Sequence, residues 1–451
     1  MNLKRHFLAS LLFSLCTGTS VFAAVPSDQA AHLGDKLTPL GGERAGNASG
    51  SIPAWTGGLT KAVAGPNLGD IPTGLFADEK PLLSIGANNL EQYRDKLSDG
   101  TIALIKKYPE SFRVDVYPTH RTAAAPDWVY RNTARNAVSC KLSDAAGPAL
   151  SGCYGGTPFP IPQNGREVIW NYLLRLEPST ISLGFKNIVV TADGSHTLAS
   201  RNDETFQFPF YYADGSAEKW SGEYFMVRFS TTAPSFKVGE SLVLRDSIDS
   251  NTSRQAWQYL VGQRRVRRAA TVAYDTPDFV ASGANYFDEV RGFQGAPDRY
   301  DWKLVGKREV YIPYNTNGFQ GASVEEAIKG HHLNPDKLRW ELHRVWEVEA
   351  TVTSGKRHAV PKRRLYLDED TWMLTLMDGY DAEGNLWRTS QIPSFVVPKL
   401  PGVVMMPSAV YNLQANTLSL VQLVNEESYK VAERKPEIYF TGDSVASDAL
   451  R

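Results

Sequence analysis

From Ile181 onward apolar residues tend to recur at every second position, and that period of two constrains the fold more than any other property of the chain. Candidate strands are 181–191, 205–212, 222–230, 240–247, 254–260, 264–270, 302–312, 338–353, 363–367, 371–378 and 386–392. Turn signals punctuate them: Ala192-Asp193-Gly194, Ala213-Asp214-Gly215, Val261-Gly262 and Ala382-Glu383-Gly384-Asn385. Strands joined by turns this short build a large antiparallel meander, not alternating β-α units. The expected class is mainly β (α+β): one large curved antiparallel sheet, an open barrel, with a few covering helices.

Helical spacing is confined to the region before the strands and one short insert. Leu90, Tyr93, Leu97, Ile102 and Ile105 mark one side of a helix over 88–107, with Gly100 as its expected break. Val168, Ile169, Tyr172 and Leu173 predict a second over 165–175, after a proline-rich approach that forbids a regular element. A short helix is expected near Ser323–Lys329. Residues 24–81 are rich in Gly, Pro, Ala and Asn and read as an extended N-terminal arm, with Leu40, Ile52 and Trp55 as apolar anchors. Residues 82–451 are then expected to form a single β domain.

The first 23 residues read as a signal peptide. Lys4-Arg5-His6 precede an apolar run from Phe7 to Phe22, and Val21 and Ala23 occupy the −3 and −1 positions of a cleavage site near Ala23. Phe13-Ser14-Leu15 before Cys16 lacks the small residues a lipid-anchor signal needs, so a soluble periplasmic product is expected, with peripheral contact to the outer membrane left open. Only Cys140 and Cys153 then remain, and an oxidising compartment favours a disulfide between them. A two-cysteine metal site is the alternative, but no His lies between or beside them. Removing Lys4 and Arg5 with the signal leaves 46 basic against 49 acidic residues, a balance that points to no nucleic acid. No later stretch approaches the ~20 apolar residues of a membrane span.

The 338–353 strand shows what the sheet should bury. Leu338, Trp340, Leu342, Arg344, Trp346, Val348, Ala350 and Val352 share one face, while Arg339, Glu341, His343, Glu347 and Glu349 share the other. That pattern predicts one apolar and one wet side. Trp302, Leu304, Gly306, Arg308, Val310 and Ile312 repeat it. Each apolar face holds one arginine, which must find an acceptor because an unpaired buried charge costs several kcal/mol. Arg344 and Arg308 could anchor the carboxylate or phosphate head group of a ligand, or pair with carboxylates of neighbouring strands, the reading the residues favour. A sheet this wide with few helices leaves room for an apolar cavity, whose expected lining is Trp340, Leu342, Trp346, Trp302, Leu304 and Trp257, with Arg344 and Arg308 at its polar end.

Signatures of catalysis are weak. There is no nucleophile elbow, no His-Glu-x-x-His and no phosphate-binding glycine loop. No catalytic residue, metal or cofactor is expected. His331-His332 reads as a loop, Asp368-Glu369-Asp370 as a solvated turn, and 378–385 as a hairpin turn in preference to a calcium loop. Arg264-Arg265-Val266-Arg267-Arg268 is basic enough for an anionic partner, but alternation splits it between faces, so acidic partners on adjacent strands are expected.

Four stretches carry a resemblance: Leu37–Gly58, Tyr154–Gly165, Arg254–Arg268 and Tyr300–Gly306. Together they resemble the DUF1329 family of exported Gram-negative proteins across essentially the whole mature chain. The resemblance implies a large relative of the LolA/LolB lipoprotein-sorting carriers, a curved sheet closed by helices over an apolar cavity. It implies work beside an RND-type inner-membrane exporter and an outer-membrane β-barrel protein, and it supplies no catalytic residues. The expected function is a periplasmic binding and transfer protein for lipid-like cargo, not an enzyme. The alternative is a structural adaptor of an envelope export complex with a filled interior.

Overall fold

The computed structural model describes residues 25–143, 147–269 and 271–449; the signal-peptide reading falls outside them. Sixteen strands form one sheet. A first antiparallel meander runs through Thr180–Val190, His196–Gln207, Glu223–Ala233, Ser241–Ser247, Gln255–Leu260 and Arg265–Arg268. A second runs from Tyr300–Pro313 through Trp340–Val352, Lys362–Asp368, Leu374–Tyr380, Leu386–Gln391 and Ser408–Asn412 to Thr417–Leu423. Thr417–Leu423 pairs with Thr180–Val190, Leu418 opposite Val190 and Leu420 opposite Ile188, and so fuses the two meanders. The short strands Leu83–Ile85 and Val114–Val116 extend the sheet beside Trp340, the latter through one parallel bridge. The class is mainly β, as expected, and the sheet is curved and open.

Two sequence expectations fail at one bulge. Leu304 faces Val348, but Gly306 faces Glu347, so Val305 is an extra residue in its strand. A one-residue insertion sends every later side chain to the opposite face. Trp302 and Leu304 therefore share a face with Ala350 and Val348, whereas Arg308 lies opposite Val345 on the other face. The two arginines thus sit on opposite sides of the sheet. The charged side of the Trp340–Val352 strand is not wet either: Glu341, His343 and Glu347 are all buried, and Arg339 pairs with Glu341 at 2.5 Å.

Helices cover both faces. The 88–107 region is a short helix Leu90–Tyr93, a 3-10 turn Arg94–Lys96, and a helix Asp99–Lys107. The break falls before Ser98, whose hydroxyl accepts from Thr101 N. Gly100 is no breaker; it sits in the first turn, where a Cβ would collide with Thr389 and Asp378. Gly165–Leu173 is helical and wholly buried, capped by Asn164. Val324–Ala327 carries a capping box from Ser323 and Glu326. The sequence reading does not place the helix Asp127–Ser139, whose buried stripe, Val129, Thr133, Asn136 and Ala137, is half polar. Asn136 instead donates to Gly156 O at 3.1 Å and accepts from Tyr154 N at 3.2 Å.

Cys140 caps that helix and is bonded to Cys153, with Cα atoms 4.7 Å apart. The bridge holds the helix end against the 154–157 loop. Closing a loop of this length is worth about 3 kcal/mol by chain entropy. A Cys140→Ser/Cys153→Ser variant is therefore expected to lose about 3 kcal/mol in urea unfolding, and reductant should shift the parent toward it. Equal midpoints for parent and variant would refute this role.

Candidate functional site

Phe185, Phe206, Phe225 and Phe229 project from neighbouring strands of the first meander onto one face. Leu242, Leu244 and Val227 extend the patch, and Val421 and Gln422 complete it from the fused strand. The segment 271–299 crosses this face and lowers Asp278, Val280 and Phe287 onto it. Between sheet and cover lies a cavity of about 40 Å³. That space holds a few water molecules at most. A smaller pocket shares Phe229, Leu242 and Val280 with it and reaches half-buried Lys237 and Glu240 at the margin.

The cavity wall holds two carboxyl groups, Glu204 and Asp278, among amides and Arg254. Burial pushes the Glu204 carboxyl up to about 8, against the opposing pull of Arg291 and Gln422. Gln422 donates to Glu204 at 3.0 Å from a backbone at φ 60°, within the register shift that interrupts the fused strand. Burial likewise pushes Asp278 up to about 6, although Asn285 and Val280 N donate to it. Arg254 lines the wall but is held by Asp246 through two contacts of 2.7 Å.

The cover is fastened unevenly. Around 288–291 it is pinned by buried ion pairs: Asp288 with Arg363 and His358, Glu289 with Arg388 at 2.6 and 2.7 Å, and Arg291 with Glu177. At the other end it is held by Ser200 Oγ to Val280 O and Ser419 Oγ to Asn285 Oδ1, both 2.9 Å, and by two cationic donors, Lys237 Nζ to Phe279 O and Arg388 Nη2 to Ala284 O, both 3.5 Å. Neutral hydrogen bonds are each worth about 1 kcal/mol net. Among the described residues the 278–285 stretch makes no ion pair with the sheet, so it is the less firmly fastened end.

None of the eight residues expected to line a cavity borders this one. Trp340 and Leu342 are packed in a separate apolar cluster. Trp302 is core, and Leu304 and Trp346 pack against it, with Trp346 stacked on Trp372 at 6.0 Å. Trp257 packs under the C-terminal helix Gly442–Ala449. Arg308 pairs with Glu347 at 3.2 Å, and Arg344 with Glu369 at 3.1 Å, so both arginines are satisfied by internal carboxylates. The phenylalanines that do line the cavity lie on strands the alternation identified, but their enclosure depends on the cover and on the fused strand.

Asp368, Glu369 and Asp370 are not a solvated turn; all three are buried. Arg121 grips Asp370 at 2.6 and 2.8 Å and donates to the arm at Glu43 O. Arg344 donates to Ala45 O, Trp372 Nε1 to Leu40 O, and Glu43 N to Glu369. These bonds hold arm residues 40–45 on the sheet. His343, Asp368 and Asp370 could bring three ligand atoms within 4.8 Å of one another. Burial opposes charge on His343, but Asp368 and Glu341 outweigh it and push the imidazole up to about 9. Both ring nitrogens already face carboxylates, Nδ1 to Asp368 at 3.0 Å and Nε2 to Glu341 at 3.3 Å, so the cluster reads as a buried ion-pair network.

The shifts set a pH dependence. Glu204 is raised in the folded state, so its contribution is full below the ordinary carboxylate pKa and is lost as pH rises through about 8. Glu204→Gln is expected to flatten the fall in stability between about pH 4.5 and 8. His343→Gln should act the same way between about pH 6.5 and 9. Denaturant melts across pH that run parallel for parent and variants would contradict both assignments.

Comparison with known proteins gives the chain its relatives. An uncharacterised protein of Pseudomonas aeruginosa is 43% identical over 376 residues, covering 83% of this chain and 82% of that protein. Among solved structures, a putative outer membrane lipoprotein-sorting protein domain from Vibrio parahaemolyticus superposes with TM-score 0.43 at 12% identity, covering 62% of this chain and 97% of that one. A DUF1329 family protein from Desulfovibrio piger gives 0.39 at 13% identity, covering 59% and 90%. Residues 84–451 match the family described as a protein of unknown function, DUF1329, and the chain belongs to that family.

Proposed function

We propose that this protein is an exported binding and transfer protein for lipid-like cargo, taken up between the sheet and the 271–299 cover. The observation that carries the reading is the phenylalanine-lined cavity under a cover fastened firmly at one end and weakly at the other. At about 40 Å³ the closed cavity is far smaller than the ~300 Å³ of the smallest drug-sized sites, so uptake requires the 278–285 end to rise. Each CH₂ buried there contributes about 0.8 kcal/mol, enough for a few methylenes to offset the bonds broken by lifting. Among the described residues the cavity offers apolar rings and no free cation, since Arg254 is held by Asp246, so an acyl or polycyclic body enters and a polar head stays at the Lys237 margin. No helix of the described residues is long and apolar enough to cross a membrane. The proposed carrier works in the periplasm, beside an RND-type exporter and an outer-membrane β-barrel protein, a setting that the family resemblance supports.

The small closed cavity also favours a second reading, a structural adaptor whose interior stays filled. Native mass spectrometry of protein purified from its own cell envelope separates the two. The carrier reading expects bound lipid masses and uptake of fluorescent fatty acids. A ligand-free mass with no uptake, together with stable co-purification of membrane partners, would instead establish the adaptor.

A further inference from the structure

The Arg264–Arg268 run departs from the sequence expectation. No carboxylate lies within ion-pair distance of Arg264, Arg265, Arg267 or Arg268 among the described residues, and all four are exposed. Arg267 reaches only Gln258 Oε1 at 3.3 Å, and Arg268 lies over the Trp257 ring at 5.7 Å. Arg265–Arg268 is the terminal strand of the sheet, paired only with Gln255–Leu260. An open groove runs between this edge and the C-terminal helix, with Asp443 as its acidic member.

Beside the arginines stands an apolar tip. Phe236 is 76% exposed, Val238 48% and Val261 38%. They occupy the turns at the ends of adjacent strands, where a Cβ on Gly239 would lie 3.4 Å from Val261. Lys237 and Glu240 sit on the same turn, which forms the margin of the cavity. Large apolar side chains held out in water, flanked by cations with no anionic partners, match the chemistry of an anionic bilayer surface: apolar groups enter the acyl boundary while guanidinium groups meet phosphates.

We propose that this corner docks on the surface of an anionic lipid membrane, with Phe236, Val238 and Val261 inserted and Arg264, Arg265 and Arg267 on lipid phosphates. Docking stands whether or not the cavity takes a ligand, since it uses none of the cavity's walls. It would place the liftable end of the cover, through Lys237 and Phe279, next to the membrane.

The test is partition onto vesicles of phosphatidylcholine with and without about 30 mol % phosphatidylglycerol. The parent should bind the anionic vesicles, release them as salt rises, and ignore pure phosphatidylcholine. Arg264→Gln/Arg265→Gln/Arg267→Gln should weaken partition roughly a hundredfold. Phe236→Ser/Val238→Ser should abolish the rise in lipid-monolayer pressure on insertion. All five positions are on the surface, and unchanged thermal melts would show that the variants fold. Equal binding to both vesicle types, variants that bind like the parent, or capture of an extended acidic peptide at the strand edge without vesicle binding would each overturn the proposal.

Discussion

The pairing of Thr417–Leu423 with Thr180–Val190 is the contact on which the rest of the architecture depends. Without it the chain would hold two meanders, each with an unpaired edge and an uncovered apolar face, a state exposed to association with other chains. With it, one curved surface spans both. The same strand places Val421 and Gln422 in the wall of the cavity, and its register shift turns Gln422 onto Glu204. A join near the C-terminus thus controls a cavity built mostly from strands more than 170 residues earlier.

Two sets of buried charges then give the sheet its coverings. One set, Asp288, Glu289 and Arg291, ties the 271–299 cover to Arg363, Arg388 and Glu177. The second, Arg121, Arg344 and His343, ties Asp368, Glu369 and Asp370 to the arm and its neighbours. Removing one partner of such a pair leaves the other charge buried and alone, which costs about 3–5 kcal/mol. The coverings are therefore specified by position. The stretch at 278–285, held by hydrogen bonds and by no ion pair among the described residues, is where that specification relaxes over the cavity.

Much of the sheet was legible because alternation is local: Glu223–Ala233, Ser241–Ser247 and Trp340–Val352 fall close to where the spacing places them. The final strands were missed although their signal was present, in the short runs Phe395–Val397, Ala409–Tyr411 and Leu418–Val421 between turn residues. The bulge at Val305 was not legible, and it alone moved Arg308 to the opposite face. The acidic triplet 368–370 reads as solvated because its partner Arg121 lies some 250 residues away. The candidate site was illegible for the same reason. Its phenylalanines alternate like any core, and only the path of the cover, which has no period of its own, decides which of them enclose a space.

The central claim is that cargo lies between Phe206, Phe225 and Phe287 beneath a lifted cover. The direct measurement is a crystal structure of the protein loaded with a long-chain fatty acid. The account predicts acyl density against those three rings, with residues 278–285 displaced and Asp288, Glu289 and Arg291 still in place. Acyl density elsewhere on the molecule, over an unchanged cavity and cover, would contradict it.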